Sequence, residues 1–138
     1  MKADVAVSKL MTRKPTVAAP TDRVSSVQAL MRKEGIHHIP VVEDGRLVGL
    51  LSSNDLVRVA FGDPYTMDPE LVEKDLELFT AREVMAEDVV SVAPTQSVRD
   101  AAKKLAGGSF HALPVVDGEQ LVGIVTSTDL ILYLIDDD

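Results

Sequence analysis

The sequence repeats itself, and this duplication limits the possible folds more than any local motif does. A shift of 74 residues aligns Met11–Leu56 with Met85–Leu130 without a gap, and 15 of the 46 aligned positions are identical. The identical positions include Pro40-Val41-Val42 with Pro114-Val115-Val116, Leu47-Val48-Gly49 with Leu121-Val122-Gly123, His37 with His111, and Asp55 with Asp129. A repeat of roughly 50 residues is marginal as a free-standing fold, so we expect the two copies to fold as a pair.

The duplication divides the chain into a first repeat over residues 7–61, a linker over 62–80 and a second repeat over 81–136. The linker is acidic and contains two prolines. We expect a short linker helix from about Pro69, with Asp68 as its cap. The negative charge of this segment is more typical of a solvated face than of a binding site.

Early in each repeat, the spacing of apolar residues predicts a helix. In the first repeat the apolar stripe over residues 24–31 follows helical periodicity. We expect Thr21 or Asp22 to cap this helix and Gly35 to end it. The second repeat has the same pattern, with Thr95 at the cap position.

A hairpin and a second helix complete each repeat. Two β-rich runs, 36–42 and 47–51, are joined by the turn pair Asp44-Gly45, which is typical of a hairpin. The polar run Ser52-Ser53-Asn54-Asp55 then opens a second helix, as Thr126-Ser127-Thr128-Asp129 does in the second repeat. With the extended piece before the first helix, each repeat predicts the order β-α-β-β-α and an α+β fold.

Composition and charge exclude several classes of function. The chain has no cysteine, which excludes disulfides, thiolate metal sites and a cysteine nucleophile. The formal net charge of -8 would repel a polyanion, so we expect no nucleic acid partner. No stretch reaches the roughly 18 apolar residues of a membrane span. Because the N-terminus also lacks a signal-peptide pattern, we expect a cytoplasmic protein without a membrane interaction.

A hydroxyl and a carboxylate recur where the last helix of each repeat begins, as Ser52 with Asp55 and Thr126 with Asp129. A hydroxyl and the free N–H groups of a helix start can hold a phosphate, and a carboxylate accepts hydrogen bonds from a ribose diol. The same spacing is close to a capping box, which needs no ligand. Both interpretations are open, and one residue can serve both purposes.

These motifs resemble the CBS domain family, and a pair of them resembles the unit called a Bateman module. The resemblance rests on the Pro-Val-Val strand, the acidic glycine turn and the Gly-h-h-Ser/Thr-x-x-Asp motif (h, hydrophobic), each present twice. It implies two β-α-β-β-α repeats packed sheet to sheet with pseudo-twofold symmetry. It also implies two clefts that bind AMP, ADP, ATP or S-adenosylmethionine, with no cofactor required.

The resemblance assigns residues to each cleft. Asp55 and Asp129 would bind ribose, and Ser52 and Thr126 would face the phosphate side. The full candidate set for site 1 is Thr16, Ile36, His37, His38, Ser52, Asn54 and Asp55. The full candidate set for site 2 is Val90, Phe110, His111, Thr126, Thr128 and Asp129.

Other roles are open for several of these residues. The three histidines are alternatively exposed polar side chains, and a metal site is poorly supported without cysteine or a carboxylate at helical spacing. The apolar candidates are alternatively ordinary core residues. Many relatives carry arginine at the His38 position, and Ala112 in the second repeat removes a cation there. The second cleft is therefore expected to prefer fewer phosphates, or none.

The leading interpretation is a regulatory module that senses an adenine nucleotide or related adenosyl compound and transmits its occupancy to a separate, unidentified effector protein. The alternative is a ligand-free dimerisation scaffold. We expect no catalytic residues and no enzyme activity, because no nucleophile–base pair, metal constellation or P-loop is visible. The last helix, over residues 130–135, is apolar on every side, which predicts a homodimer unless this helix wedges between the repeats.

Overall fold

The structure is a computed structural model that describes residues 2–60 and 76–136. The linker helix expected near Pro69 and its cap Asp68 lie outside the described residues. Two short 3₁₀ helices, Lys2–Asp4 and Val7–Lys9, come first. The strands and α-helices that follow are β1 (Thr12–Arg13), α1 (Val24–Glu34), β2 (His38–Glu43), β3 (Arg46–Ser52), α2 (Ser53–Ala60), α3 (Ala81–Val84), α4 (Val98–Gly107), β4 (Ala112–Asp117), β5 (Gln120–Thr126) and α5 (Ser127–Ile135). Helices combined with antiparallel strands confirm the α+β class.

The chain forms two compact units whose limits cut across the sequence repeats. The first unit is Thr16–Asp88, and the second unit joins Met1–Pro15 to Val89–Asp138. In the second unit β1 pairs with β5, which places Thr12 opposite Ile124. In the first unit an antiparallel bridge places Ala86 opposite Leu50 in the same way. Each hairpin therefore pairs with the opening segment of the other repeat.

The two hairpins follow the predicted pairing. In the first unit β2 and β3 pair antiparallel through a turn in which Asp44 has a φ of 54° and Gly45 a φ of 79°. Two successive positive φ angles match the right-handed twist of the strands, and glycine reaches them without strain. In the second unit β4 and β5 pair in the equivalent register.

The extended piece before the first helix of each repeat pairs in parallel with the hairpin. In the first unit the Ala18 N–H donates to the Pro40 carbonyl at 3.0 Å, and the Val42 N–H donates to the Ala18 carbonyl at 2.9 Å. Val92 makes the equivalent bridge in the second unit. The order β-α-β-β-α is therefore present in each unit.

Helix α1 ends as predicted but does not begin as predicted. Gly35 has a left-handed φ of 66° and donates its N–H to the Met31 carbonyl. The expected cap at Thr21 or Asp22 is wrong, because the helix starts at Val24 after an Arg23 that makes no side-chain cap. The Asp22 carboxylate instead accepts the Ala19 N–H at 2.8 Å and closes the preceding turn.

The cap of α4 also lies two residues later than expected. Ser97, and not Thr95, accepts the Asp100 N–H at 3.1 Å. The Gln96 side chain, which aligns with Asp22, accepts the Ala93 N–H at 2.8 Å. In both repeats the side chain of Asp22 or Gln96 accepts a hydrogen bond within the preceding turn and cannot cap the helix. The helix therefore begins after this residue.

Each unit has its own apolar core. In the first unit the core includes the predicted stripe of α1, with Val24, Val27 and Met31 buried against Ile39, Val41, Leu51 and Leu56. In the second unit it includes Val98, Ala101, Leu113, Val115, Val125 and Leu130. Burial of each such side chain stabilises the fold by roughly 1.5–3 kcal/mol. In each core the last strand and the helix after it are packed together, which fixes the junction that carries the candidate site.

Candidate functional site

Site 1 is built at the junction between β3 and α2. Strand β3 ends at Ser52, and the Ser52 N–H donates to Asp55 Oδ2 at 2.9 Å. In return the Asp55 N–H donates to Ser52 Oγ at 3.2 Å. The Ser52 hydroxyl also donates to Asp55 Oδ2 at 2.9 Å. The capping box considered from the sequence is therefore present, and Oδ2 of the aspartate is used by it.

Site 2 has the same frame at the junction between β5 and α5. The Thr126 N–H donates to Asp129 Oδ2 at 2.8 Å, and the Asp129 N–H donates to Thr126 Oγ1 at 3.1 Å. Within residues 2–60 and 76–136, Asp129 Oδ1 has no hydrogen-bond partner and the Thr126 hydroxyl has no acceptor. A carboxylate oxygen and a hydroxyl proton are thus available to a bound molecule at site 2.

Few backbone N–H groups remain at the two helix starts. The Ser53 N–H donates to the His37 carbonyl and the Ser127 N–H to the His111 carbonyl, each at 2.9 Å. The third N–H of each helix is used by the capping box. The sequence led us to expect several free N–H groups at each helix start. Within the first three residues of each of these two helices, the N–H of Asn54 or Thr128 is the one without a partner among the described residues.

Strand register places the histidines of site 1 beside the capping box. His38 lies opposite Ser52, so the two side chains share one face of the hairpin. The His38 side chain is half-buried, whereas that of His37 is exposed. His37 Nδ1 lies 3.5 Å from Ser53 Oγ, which is too long for a useful hydrogen bond.

The equivalent position in site 2 presents no polar group. Ala112 lies opposite Thr126 and is 1 % exposed. His111 is exposed, as His37 is. Site 2 therefore contains one histidine where site 1 contains two, and the missing imidazole is replaced by a buried methyl group.

The apolar candidates take part in the cores to different degrees. Ile36 and Phe110 pack against the cores of their own units, as the core interpretation predicts. Thr16 is half-buried and Val90 is 42 % exposed. Thr16 lies two positions before Ala18, and Val90 lies two positions before Val92. Because Ala18 and Val92 form the parallel bridges, Thr16 lies beside the start of β2 and Val90 beside the start of β4. The polar candidates are therefore brought together at each junction, and the apolar ones border it.

Sequence reasoning missed Arg58 in site 1. Its guanidinium pairs with Asp55 Oδ1, while the arginine side chain is 78 % exposed and that of the aspartate 12 % exposed. The signal was present, since an acidic and a basic residue three positions apart are neighbours on a helix. The aligned residue in the second repeat is Leu132.

The described residues contain neither a cluster suited to a metal ion nor a helix suited to spanning a membrane. In residues 2–60 and 76–136, no three or more His, Asp or Glu side chains are grouped so that they could hold a metal ion. In the same ranges no helix combines the length and the apolar character needed to cross a membrane.

Comparison with known proteins gives a consistent family. The model of the family described as CBS domain matches residues 7–62 and 81–136. The protein MJ1225 of Methanocaldococcus jannaschii is 29 % identical over 130 residues, which cover 92 % of this chain and 46 % of that protein. The chain thus spans about half the length of this curated relative.

Two similar solved structures contain adenosyl compounds. The structure of CBSX2 from Arabidopsis thaliana in complex with AMP has a TM-score of 0.78 and 26 % identity, and covers 94 % of this chain and 95 % of that one. The CBS domain pair of protein MJ0100, in complex with 5′-methylthioadenosine and S-adenosyl-L-methionine, has a TM-score of 0.76, 26 % identity and the same coverage. On the match to both repeats, this chain belongs to the CBS domain family, as a tandem pair of CBS domains.

Proposed function

We propose that this chain is a regulatory module that binds an adenine nucleotide or related adenosyl compound and transmits its occupancy to a separate effector protein. The observation that carries the proposal is that, among the described residues, Asp129 Oδ1 has no partner and the neighbouring Thr126 hydroxyl has no acceptor. Solved relatives with this fold hold AMP or S-adenosyl-L-methionine. Both groups are chemically suited to a ribose and its 5′ substituent.

The capping box does not compete with this role. A carboxylate has two oxygens that accept hydrogen bonds independently. At site 2 Oδ2 caps α5, and Oδ1 is left for the ribose diol. We assign Asp55 and Asp129 to ribose, and Ser52 and Thr126 to the phosphate side with the N–H groups of Asn54 and Thr128.

The remaining candidates would surround the ligand. His37, His38 and His111 are proposed to donate to phosphate or contact ribose. Thr16, Ile36, Val90 and Phe110 are proposed to line the adenine slot. Adenine is bound mainly by apolar surface, so partly buried side chains bordering a polar junction are suited to this role.

The proposed role involves binding without turnover. At both junctions the hydroxyl and the carboxylate are held to the start of a helix, which suits holding a ligand and not activating a nucleophile. Regulation requires that the ligand bind two states of the protein with different affinity. The effector is a separate chain in this proposal.

We also propose that the chain forms a homodimer through α5. On this helix Ile131, Leu132, Leu134 and Ile135 are between 57 % and 68 % exposed. A contiguous apolar face of this kind is unfavourable in water and is typical of an interface. Light scattering coupled to gel filtration tests this point, and Leu134→Glu is expected to convert a dimer to a monomer. A wild-type monomer would refute it.

Titration calorimetry with AMP, ADP, ATP, S-adenosylmethionine and 5′-methylthioadenosine tests the proposed function on protein stripped of co-purified ligand. Saturable binding of at least one compound, recovered unchanged by chromatography, is the expected result. The absence of binding by all five would favour the ligand-free scaffold. Conversion of a bound compound would instead point to an enzyme.

A further inference from the structure

The two junctions carry different charges next to the carboxylate. At site 1 the Arg58 guanidinium contacts Asp55 Oδ1. At site 2 the aligned residue is Leu132, which is 57 % exposed. In the described part of the chain, Asp129 is in no ion pair. The carboxylate is therefore charge-compensated at site 1 and uncompensated at site 2.

The hydroxyl groups of Ser52 and Thr126 also make the carboxylate charge better compensated at site 1 than at site 2. The Ser52 hydroxyl donates to Asp55 at 2.9 Å, which further stabilises the carboxylate charge. The Thr126 hydroxyl makes no equivalent donation to Asp129 among the described residues. His38 lies beside Ser52, whereas Ala112 lies beside Thr126. The two contacts from Arg58 and the Ser52 hydroxyl thus reduce the negative character of site 1, and among the described residues the site 2 carboxylate has no equivalent of either.

We infer that Arg58 is a specificity-determining residue, which makes site 1 selective for a phosphorylated adenosyl ligand and leaves site 2 selective for a neutral or cationic one. This inference rests on the proposed function. A phosphate on the 5′ carbon lies within a few ångströms of the carboxylate that holds the ribose. At that distance one uncompensated charge in a partly exposed site changes the affinity for a charged ligand about tenfold.

Binding must be measured one site at a time. Asp129→Asn leaves site 1 as the working site, and Asp55→Asn leaves site 2. Asparagine keeps an oxygen for the capping box, but its amide nitrogen cannot accept a ribose hydroxyl. AMP is the anionic probe, and S-adenosylmethionine, which carries a sulfonium, is the cationic probe. The measured quantity is the ratio of the S-adenosylmethionine Kd to the AMP Kd.

Reciprocal substitutions then exchange the charge environments. In the Asp129→Asn protein, Arg58→Leu is expected to lower the ratio about tenfold. In the Asp55→Asn protein, Leu132→Arg is expected to raise it by a similar factor. Both side chains are exposed, so neither substitution disturbs a core. Because Leu132 also lies on the proposed dimer face of α5, the oligomeric state of Leu132→Arg is measured by light scattering, and its ratio is compared with that of Leu134→Glu in the same Asp55→Asn protein. Raising the salt concentration should reduce both changes, because exposed charges are screened.

Arg82→Leu is the matched control, because it removes the same charge from the same unit. Arg82 pairs with Glu43 at 2.8 Å, and both side chains are 54 % exposed. Glu43 is at the other end of β2 from His38, which the strand rise places about 16 Å away. This control is expected to leave the ratio unchanged.

The outcomes separate this inference from the proposed function. If Arg58→Leu and Leu132→Arg bind both probes with the same Kd ratio as their parent proteins, the role of Arg58 is overturned. The proposed adenosyl-binding module would then still stand. An equal change in Arg82→Leu would also overturn it, since net charge would then be responsible. Failure of the wild type to bind either probe, or any adenosyl compound, would overturn both proposals.

Discussion

The two repeats begin their last helices with the same hydrogen bonds and then differ one turn later. Ser52 with Asp55 and Thr126 with Asp129 form matching capping boxes, with nearly equal distances. At the next exposed position on the same side of the helix, the first repeat has Arg58 and the second has a leucine. The duplication has therefore preserved the frame that holds the carboxylate and changed the charge that surrounds it.

The difference follows from what each position does for the fold. A capping box satisfies N–H groups that the helix itself leaves without partners, so its loss costs stability in either repeat. An exposed residue in the middle of a helix makes almost no packing contacts. Such a residue can be substituted without loss of the fold. Substitution at such a position can therefore give two similar sites different ligand preferences.

The largest effect on stability is expected at the two glycines against which the opening segment of the other repeat packs. A Cβ at Gly49 would lie 3.0 Å from the Ala86 carbonyl oxygen, and one at Gly123 would lie 2.9 Å from that of Thr12, with a methionine side chain closer still in each case. We expect Gly49→Ala and Gly123→Ala each to lower the free energy of unfolding by about 1–3 kcal/mol in urea titrations.

Gly107→Ala is the control for these variants, because a Cβ there meets no atom within 4 Å. It lies at the end of α4 and is expected to be neutral or slightly stabilising. If only one of the two test variants lost stability, the two units would not share the geometry described for them.

The capping boxes should matter equally in the two repeats. Ser52→Ala and Thr126→Ala each remove the side-chain oxygen that accepts the N–H of the third helical residue. Each is expected to destabilise the fold by about 1 kcal/mol. For a chain of this size, this lowers the Tm by about 3–5 °C, as differential scanning calorimetry would show. Ser127→Ala is the control and should not lower the Tm, because among the described residues the cap of this helix is formed by Thr126 and Asp129 and not by the Ser127 hydroxyl.

His38→Ala makes site 1 more like site 2. We expect AMP affinity at site 1 to fall about tenfold in calorimetry, the low end of the worth of one hydrogen bond to a charged group, with S-adenosylmethionine affinity nearly unchanged. The measurement uses the Asp129→Asn protein so that only site 1 is observed. Unchanged AMP affinity would remove His38 from the site.

The smallest expected effect is on the free energy of unfolding at acid pH. It distinguishes the two units at a position outside the candidate sites. Hydrogen bonds from the Thr80 backbone N–H and hydroxyl lower the pKa of Glu83 from its usual 4.5. Because the folded pKa is lowered, this contribution is present above pH 4.5 and is lost as the pH falls through the folded value. The aligned residues in the second unit, Ala6 and Lys9, form no such box.

Glu83→Gln should therefore be less stable than the wild type at pH 6, and the difference should shrink below pH 4 in urea titrations. A constant difference across this range would show that the carboxylate charge is not responsible.

Local chemistry made much of this fold predictable. The stripe of α1, its end at Gly35 and both hairpins follow from periodicity and turn residues, which act within a few positions. The helix caps were misplaced because Asp22 has two possible partners, and the sequence does not decide between the turn and the helix. The assignment of residues 1–15 to the second unit depends on pairs such as Thr12 and Ile124, which no local pattern encodes.

The candidate sites were predictable from the sequence to a similar extent. The repeated hydroxyl–carboxylate pair indicated which residues to examine, and the structure places them as a capping box. Which carboxylate oxygen remains open, and which is bound by Arg58, depends on side-chain geometry. The spacing of Asp55 and Arg58 allowed their ion pair without requiring it.

Ligand-induced thermal stabilisation tests the central claim most directly, because it asks whether the capping aspartates also bind an adenosyl compound. Wild type, the Asp55→Asn, Asp129→Asn double variant, and Asp100→Asn are compared at a hundredfold excess of ligand over its Kd. Asp100 occupies the same capping position in α4, a helix that carries none of the candidate residues. A folded-state ligand at this excess adds about 2.7 kcal/mol, which raises the Tm by several degrees. We predict this rise in wild type and Asp100→Asn and its absence in the double variant. An equal rise in all three proteins would contradict the account.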